Sequence, residues 1–257
     1  MTVTMSGLYL EHRVLFGRWA ARLRREPLTL LALLAQPMVW LVLFGHLFTT
    51  MANVPGGSYL RFMTAGAVVM TTFNACLVGG VELLFDRESG FLVRMLASPA
   101  SRLSMVTSRF LYLAALTSAQ GLIILVAAWL MGVRIAAGIG GVAVCLLVGA
   151  LFGAGVTALS VALAFSVRNH SQFFPVTGFA SLPLTFASTA LAPLANMPGW
   201  MRAIARMNPM SYAIDELRDL VMTGWQLAPL AGTVGTLLVF DICCVAVATL
   251  ALSRGMR

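Results

Sequence analysis

Six long apolar runs constrain this chain more than any other feature. They lie at about residues 28–48, 60–85, 108–131, 136–164, 173–193 and 229–252, and each reaches the ~20 residues that take an α-helix across the hydrocarbon core of a bilayer. Composition agrees, since 60% of the 257 residues are hydrophobic and only 10% charged, against about 45–50% and 25% in soluble domains. Too few polar side chains remain to cover a water-facing surface. The expected fold is an all-α polytopic membrane protein with six transmembrane helices in a single domain, 1–257. Gly132 to Ile135 form a very short link between the third and fourth spans. Pro37 interrupts the first span, and Pro175 and Pro183 the fifth. Kinked spans follow, with neighbouring helices re-satisfying the freed backbone groups.

The charge pattern sets orientation. All 17 basic residues are arginine, and the net charge is +8. In a membrane chain the side on which each arginine falls matters more than the sum, so nucleic-acid binding is not expected. With the amino terminus inside, 12 arginines fall on the inner side and 5 on the outer. Both termini are therefore expected in the cytoplasm. Five arginines in the first 26 residues, with no apolar core of adequate length, argue against a cleavable signal peptide. The absence of lysine excludes a complete Walker A loop and lysine Schiff-base chemistry in this chain. Cys76, Cys145, Cys243 and Cys244 all sit in apolar runs without Cys-x-x-Cys spacing, and read as buried small hydrophobes rather than disulfides or zinc ligands. No Gly-x-Ser-x-Gly, His-Glu-x-x-His or paired intramembrane aspartate is present, so this chain is not expected to be an enzyme.

Residues 6–26 form an amphipathic segment. Leu8, His12, Leu15, Phe16, Trp19 and Leu23 recur at helical spacing, opposite Glu11, Arg18, Arg22 and Arg25. Such a helix lies in the membrane interface with its arginines toward anionic headgroups. It serves either as a basic anchor that sets topology or as a lever against a cytoplasmic partner.

Between the second and third spans, the inner segment 86–104 contains Phe91, Leu92, Met95 and Leu96 on one short apolar face, with Arg87 and Arg94 elsewhere. Pro99 ends it. That face needs a cover, either the membrane surface or a cytoplasmic protein domain.

The order of residues here is also informative. An acidic residue, Gly90, Met95-Leu96, Ser98-Pro99 and Arg102 follow the second span. Before the last span comes Pro198-Gly-Trp200, then Asn208-Pro209, then Asp215 and Arg218. This succession resembles ABC-2 type export permeases, in particular the daunorubicin-resistance-like subgroup of drug, lipid and polysaccharide exporters. The likeness extends over nearly the whole chain. It implies a transmembrane subunit served by two copies of a separate ATP-binding subunit, which would hold the ATP and Mg; no cofactor is implied for this chain. It also implies a second permease subunit, as a homodimer or with a paralogue, in the bacterial cytoplasmic membrane. By the same resemblance Glu88, Gly90, Phe91, Arg94, Met95 and Pro99 belong to the surface coupled to the ATPase, together with the interfacial helix carrying Arg18, Trp19, Arg22 and Arg25. Residues 194–224 would be outer re-entrant half-helices that close the outer end of the pathway, through Pro198, Trp200, Asn208, Pro209, Asp215 and Arg218. A plain interfacial loop with Trp200 and Tyr212 in the aromatic belt is the other reading.

Local rules support helices in that outer segment. Asn208 is a good N-cap and Pro209 suits the first helical position, and Gly224 supplies a stop. In the fourth span Ala137, Gly141, Cys145, Gly149, Gly153 and Thr157 recur at every fourth position, a small-residue face that lets helix backbones approach. Asp241 lies close to the middle of the sixth span, where a carboxylate is costly. It is a hydrogen-bonding partner within the bundle, a contact for a basic substrate, or a cation or proton site. The last of these would make the chain an ion- or proton-coupled secondary transporter, although no internal repeat of the kind many such folds carry is evident. A membrane assembly or anchoring subunit is a third possibility. Thr71, Asn74 and Phe179 are further candidates for pathway lining, while His46 and His170 stand isolated near span ends. Membrane lipid is the remaining expected partner.

Overall fold

The computed structural model describes residues 17, 21, 35–47, 59–90, 102–167 and 169–255. Every regular element among them is helical. In chain order these are α1 (35–47, with a π-helical turn at Trp40–Phe44), α2 (Tyr59–Val78), α3 (Val81–Glu88), α4 (Arg102–Leu130) and α5 (Gly138–Ser166). Then follow α6 (His170–Phe186), a 3-10 turn at Leu194–Asn196, α7 (Gly199–Met207), α8 (Pro209–Met222) and α9 (Leu227–Gly255).

Four helical stretches among the described residues are long and apolar enough to cross a membrane: Tyr59–Glu88, Thr107–Leu130, Gly138–Ser166 and Leu227–Ala251. They match the second, third, fourth and sixth expected spans within a few residues. The second is broken at Gly79–Gly80, which separates α2 from α3. The expected fifth span differs. Its helix begins at His170, where Asn169 Oδ1 accepts from Gln172 N–H, and it stops at Phe186 after 17 residues. Pro183 removes a backbone donor one turn before that end, and residues 187–193 continue as irregular chain. Only 35–47 of the expected first span are described, and they are helical. The interfacial helix with Arg18, Trp19, Arg22 and Arg25 falls outside the described residues, as do Phe91, Arg94, Met95 and Pro99.

α2 is the central helix. Two thirds of its apolar window (67%) is buried within the chain, against 17% for α9 at the periphery. Lipid tails are as apolar as leucine, so close backbone approach rather than exclusion of water has to hold such helices together. The small-residue face of α5 supplies that approach toward α2. A Cβ added at Gly153 would lie 3.0 Å from Cys76 Sγ and 3.1 Å from Thr72 Cγ2. On another face of α5, Gly155 admits Asp241 and Phe240 of α9, and α9 packs along α5. Phe73, Phe152 and Phe240 form a ring stack through the three helices, with centroids 6.3 Å apart at each step. Phe62, Ile214, Leu217 and Leu237 complete the buried core between α2, α8 and α9. Cys76, Cys145 and Cys244 are buried, Cys243 is exposed, and all four are free thiols.

Candidate functional site

Two polar clusters, one at each end of the bundle, interrupt the apolar packing. The first is built around α8. Asn208 Oδ1 accepts from Met210 N–H at 3.0 Å and so caps that helix, while Pro209 occupies the first turn, where its missing N–H leaves nothing unpaired. The same side chain turns its amide group the other way. Asn208 Nδ2 donates to Leu184 O at 2.8 Å and Ala187 O at 3.0 Å, covering the orphan carbonyls at the end of α6.

Two turns further along α8, Arg218 donates from Nη1 to Asp215 Oδ1 and from Nη2 to Thr189 O, both at 2.7 Å. Its guanidinium lies 3.7 Å from the centre of the Phe62 ring on α2, a cation–π contact. Burial lowers the Arg218 guanidinium to about 10, with Asp215 and Asp219 holding it up, so it stays charged at neutral pH. Burial likewise raises the Asp215 carboxyl, against the pull of Arg218. Thr189 N–H donates to Ser211 Oγ at 3.3 Å, and Tyr59 Oη donates to Leu191 O at 3.1 Å. Gly66 of α2 leaves room for Ala190 O. The irregular strap 187–191 is thereby pinned between α2 and α8.

α7 stands apart from this cluster. Arg202 folds back onto the carbonyls of Leu194, Ala195 and Met197 at 3.0–3.2 Å, and Tyr212 Oη donates to Arg206 O. Trp200, Ile204 and Met207 face outward from the chain. Of the outer residues expected to act together, the structure unites Asn208, Pro209, Asp215 and Arg218. Pro198 instead precedes α7 as its cap residue, and Trp200 sits on the outward face.

At the other end, the Gly79–Gly80 break is held by two neighbouring helices. Arg109 of α4, which is buried, donates from Nε and Nη2 to Gly79 O at 3.0 and 2.7 Å. Gly80 N–H donates to Ser160 Oγ of α5 at 2.7 Å, and Ser160 Oγ in turn donates to Leu77 O. A Cβ at Gly80 would strike the Ser160 backbone. Below the break, Arg87 donates to Val167 O at 2.8 Å. Glu88 Oε1 accepts from His170 N–H at 2.9 Å, and its Oε2 lies 2.8 Å from His170 Nδ1. His170, isolated in the sequence, thus pairs with a residue expected at the coupling surface. Gly90 follows in a turn with φ +68°.

The candidate pathway residues occupy separate environments. Thr71 is buried and donates to Ala67 O of its own helix, and Asn74 is half-buried on α2. Phe179 faces outward on α6, and Asp241 rests against Gly155 in the α5–α9 seam. Residues that sequence reasoning missed are Tyr59, Phe62, Thr189, Ser160 and Arg109. Each works through a partner more than twenty residues away, and no local motif marks it.

A family model for the ABC-2 type transporter matches residues 12–222. The chain is 39% identical over 223 residues to the putative transport permease ycf38 of Porphyra purpurea, covering 84% of this chain and 75% of that one. It is 27% identical over 229 residues to the probable doxorubicin resistance ABC transporter permease protein DrrC of Mycobacterium tuberculosis (strain ATCC 25618 / H37Rv), covering 87% and 79%. Over 212 residues it is 27% identical to the daunorubicin resistance ABC transporter permease protein DrrB1 of Streptomyces coeruleorubidus, covering 79% and 72%.

Proposed function

This chain belongs to the ABC-2 type transporter family, and we propose that it is the transmembrane permease subunit of an ATP-driven exporter, moving an amphipathic drug, lipid or glycan-type substrate out of the cytoplasm. The observation that carries the reading is the family match over 12–222, a stretch that includes both polar clusters. Relatives named for resistance to doxorubicin and daunorubicin favour a substrate with both apolar and polar parts. The absence of lysine from the sequence supports placing ATP and Mg on two copies of a separate subunit. A second permease subunit completes the passage, with both termini in the cytoplasm of a bacterial inner membrane. In this reading α1 and α6 supply the two crossings beyond the four evident ones. α7 and α8 dip back into the outer half of the membrane and close the path, and the segment after Gly90 meets the ATPase.

Mechanistically, α3 is a short lever hinged at Gly79–Gly80. ATP binding on the partner draws the inner segments together, and movement of α3 passes through Arg109 and Ser160 to α4 and α5. The strap 187–191, held by Arg218, Thr189 and Tyr59, then shifts with α2 to open the outer end. The test is transport in vesicles containing the permease and its ATPase. Transport should stop when the ATPase loses its Walker A lysine and persist when the proton gradient is collapsed. Dependence on the proton gradient with the ATPase disabled would favour a secondary transporter instead.

A further inference from the structure

Where α4 meets α5, at the end of the bundle that also holds the α8 cluster, an open groove of about 290 Å³ runs between the two helices. Backbone bonds from Ala136 and Ala137 N–H to Val221 and Leu220 O tie this turn to the end of α8. Leu122, Val126, Trp129, Arg134 and Ile139 line the groove. Leu122, Val126, Trp129 and Ile139 are all exposed, Ile139 to 91%. Among the described residues no ion pair holds Arg134.

We propose that this groove binds an anionic phospholipid, with an acyl chain along Leu122, Val126 and Ile139 and the phosphate at Arg134. Three observations select that occupant. The volume is at the lower end of the roughly 300–1,000 Å³ typical of small-molecule pockets, so it suits one chain of a lipid better than a whole drug-sized cargo. Trp129 lies at the end of α4 and Arg134 in the turn that joins it to α5, the depth at which aromatic and basic side chains meet headgroups. The same α4–α5 face of a second copy is a poorer match, because neither helix contains an acidic residue to meet the arginine. The lipid would brace the α4–α5 turn, to which α8 is tied.

The test uses the full-length protein in phosphatidylcholine vesicles containing brominated phosphatidylglycerol or brominated phosphatidylcholine. The fluorescence of Trp129 is taken as the difference between wild type and Trp129→Phe. Brominated phosphatidylglycerol should quench it at about fivefold lower lipid fraction than brominated phosphatidylcholine, the factor one arginine supplies at a membrane surface. Arg134→Gln should abolish that preference, and Arg134→Lys should keep it. Raising salt to about 1 M, which shortens screening to about 3 Å, should erase it in the wild type, a measurement that stands even if Arg134→Gln fails to fold. Equal quenching by the two lipids, or a preference that survives Arg134→Gln or high salt, overturns the proposal. So does a Trp129 reached by neither lipid, which would mean that a second copy covers the groove.

Discussion

Gly155 and Gly178 are both helical glycines in apolar surroundings, yet their neighbours differ completely. A Cβ at Gly155 would collide with Asp241 and the Phe240 ring, whereas nothing lies within 4 Å of one at Gly178. Gly155→Ala should therefore lose about 1–3 kcal/mol through overpacking, read as a lower melting temperature in detergent. Gly178→Ala should leave it unchanged or raise it, since alanine favours helix by about 1 kcal/mol. Arg218 is the second residue with a defined cost. Arg218→Met keeps much of the contact with Phe62 but leaves the Thr189 carbonyl unpaired, so a loss of about 1–3 kcal/mol is expected, accompanied by reduced transport. Arg218→Lys should recover only part of either, because an ammonium cannot reproduce the flat two-pronged donor. Of these facts, only the Asn208-Pro209 cap was legible in the sequence, since capping depends on neighbours two residues away. Arg218 drew attention by its place in a motif, but Thr189 and Phe62 lie far along the chain and no spacing announces them.

The elements follow local rules where those rules act alone. The spans represented by α4, α5 and α9 were readable to within a few residues because length and hydropathy decide them. The break between α2 and α3 was not, although Gly79 and Gly80 are adjacent in the sequence. Glycine pairs occur within membrane helices without breaking them, and here the interruption depends on Arg109 and Ser160 arriving from other helices to take the freed groups. Ser160→Ala removes the acceptor for Gly80 N–H, and an unpaired buried N–H costs about 1–3 kcal/mol. The expected result is a lower melting temperature together with transport that falls more than ATP hydrolysis by the partner, because the hinge then transmits movement less faithfully. Equal falls in the two rates would show that Ser160 holds the fold and nothing more. α6 shows the opposite case. Its apolar run reaches residue 193, but the helix ends at Phe186, where Pro183 removes a donor and Asn208 takes the exposed carbonyls.

At the scale of the whole molecule, the arginine bias of 12 against 5 makes a definite topological statement. Reporter fusions at residue 95 should be active only for a cytoplasmic reporter, and those at residue 200 only for an external one. Both on the same side would mean that an even number of crossings lies between them, so that the expected fifth span does not cross and the two termini cannot both be cytoplasmic. α2 is buried on most sides and carries a polar clamp at each end, Arg218 at one and Arg109 at the other. α2 thus touches both the Gly79–Gly80 break and the strap 187–191, the two places that the proposed mechanism links.

By itself the sequence determined that this chain lives in a membrane and where four of its long helices run, because hydropathy and the length of an apolar run need no partners in space. The direction of the small-residue face of α5 toward α2, the pairing of Glu88 with His170 and the clasp of Arg218 on Thr189 were decided only by the tertiary structure. Each joins groups from different helices. In lipid, where apolar surface gains nothing from leaving water, such contacts depend on which backbones approach closely and which polar groups must find one another.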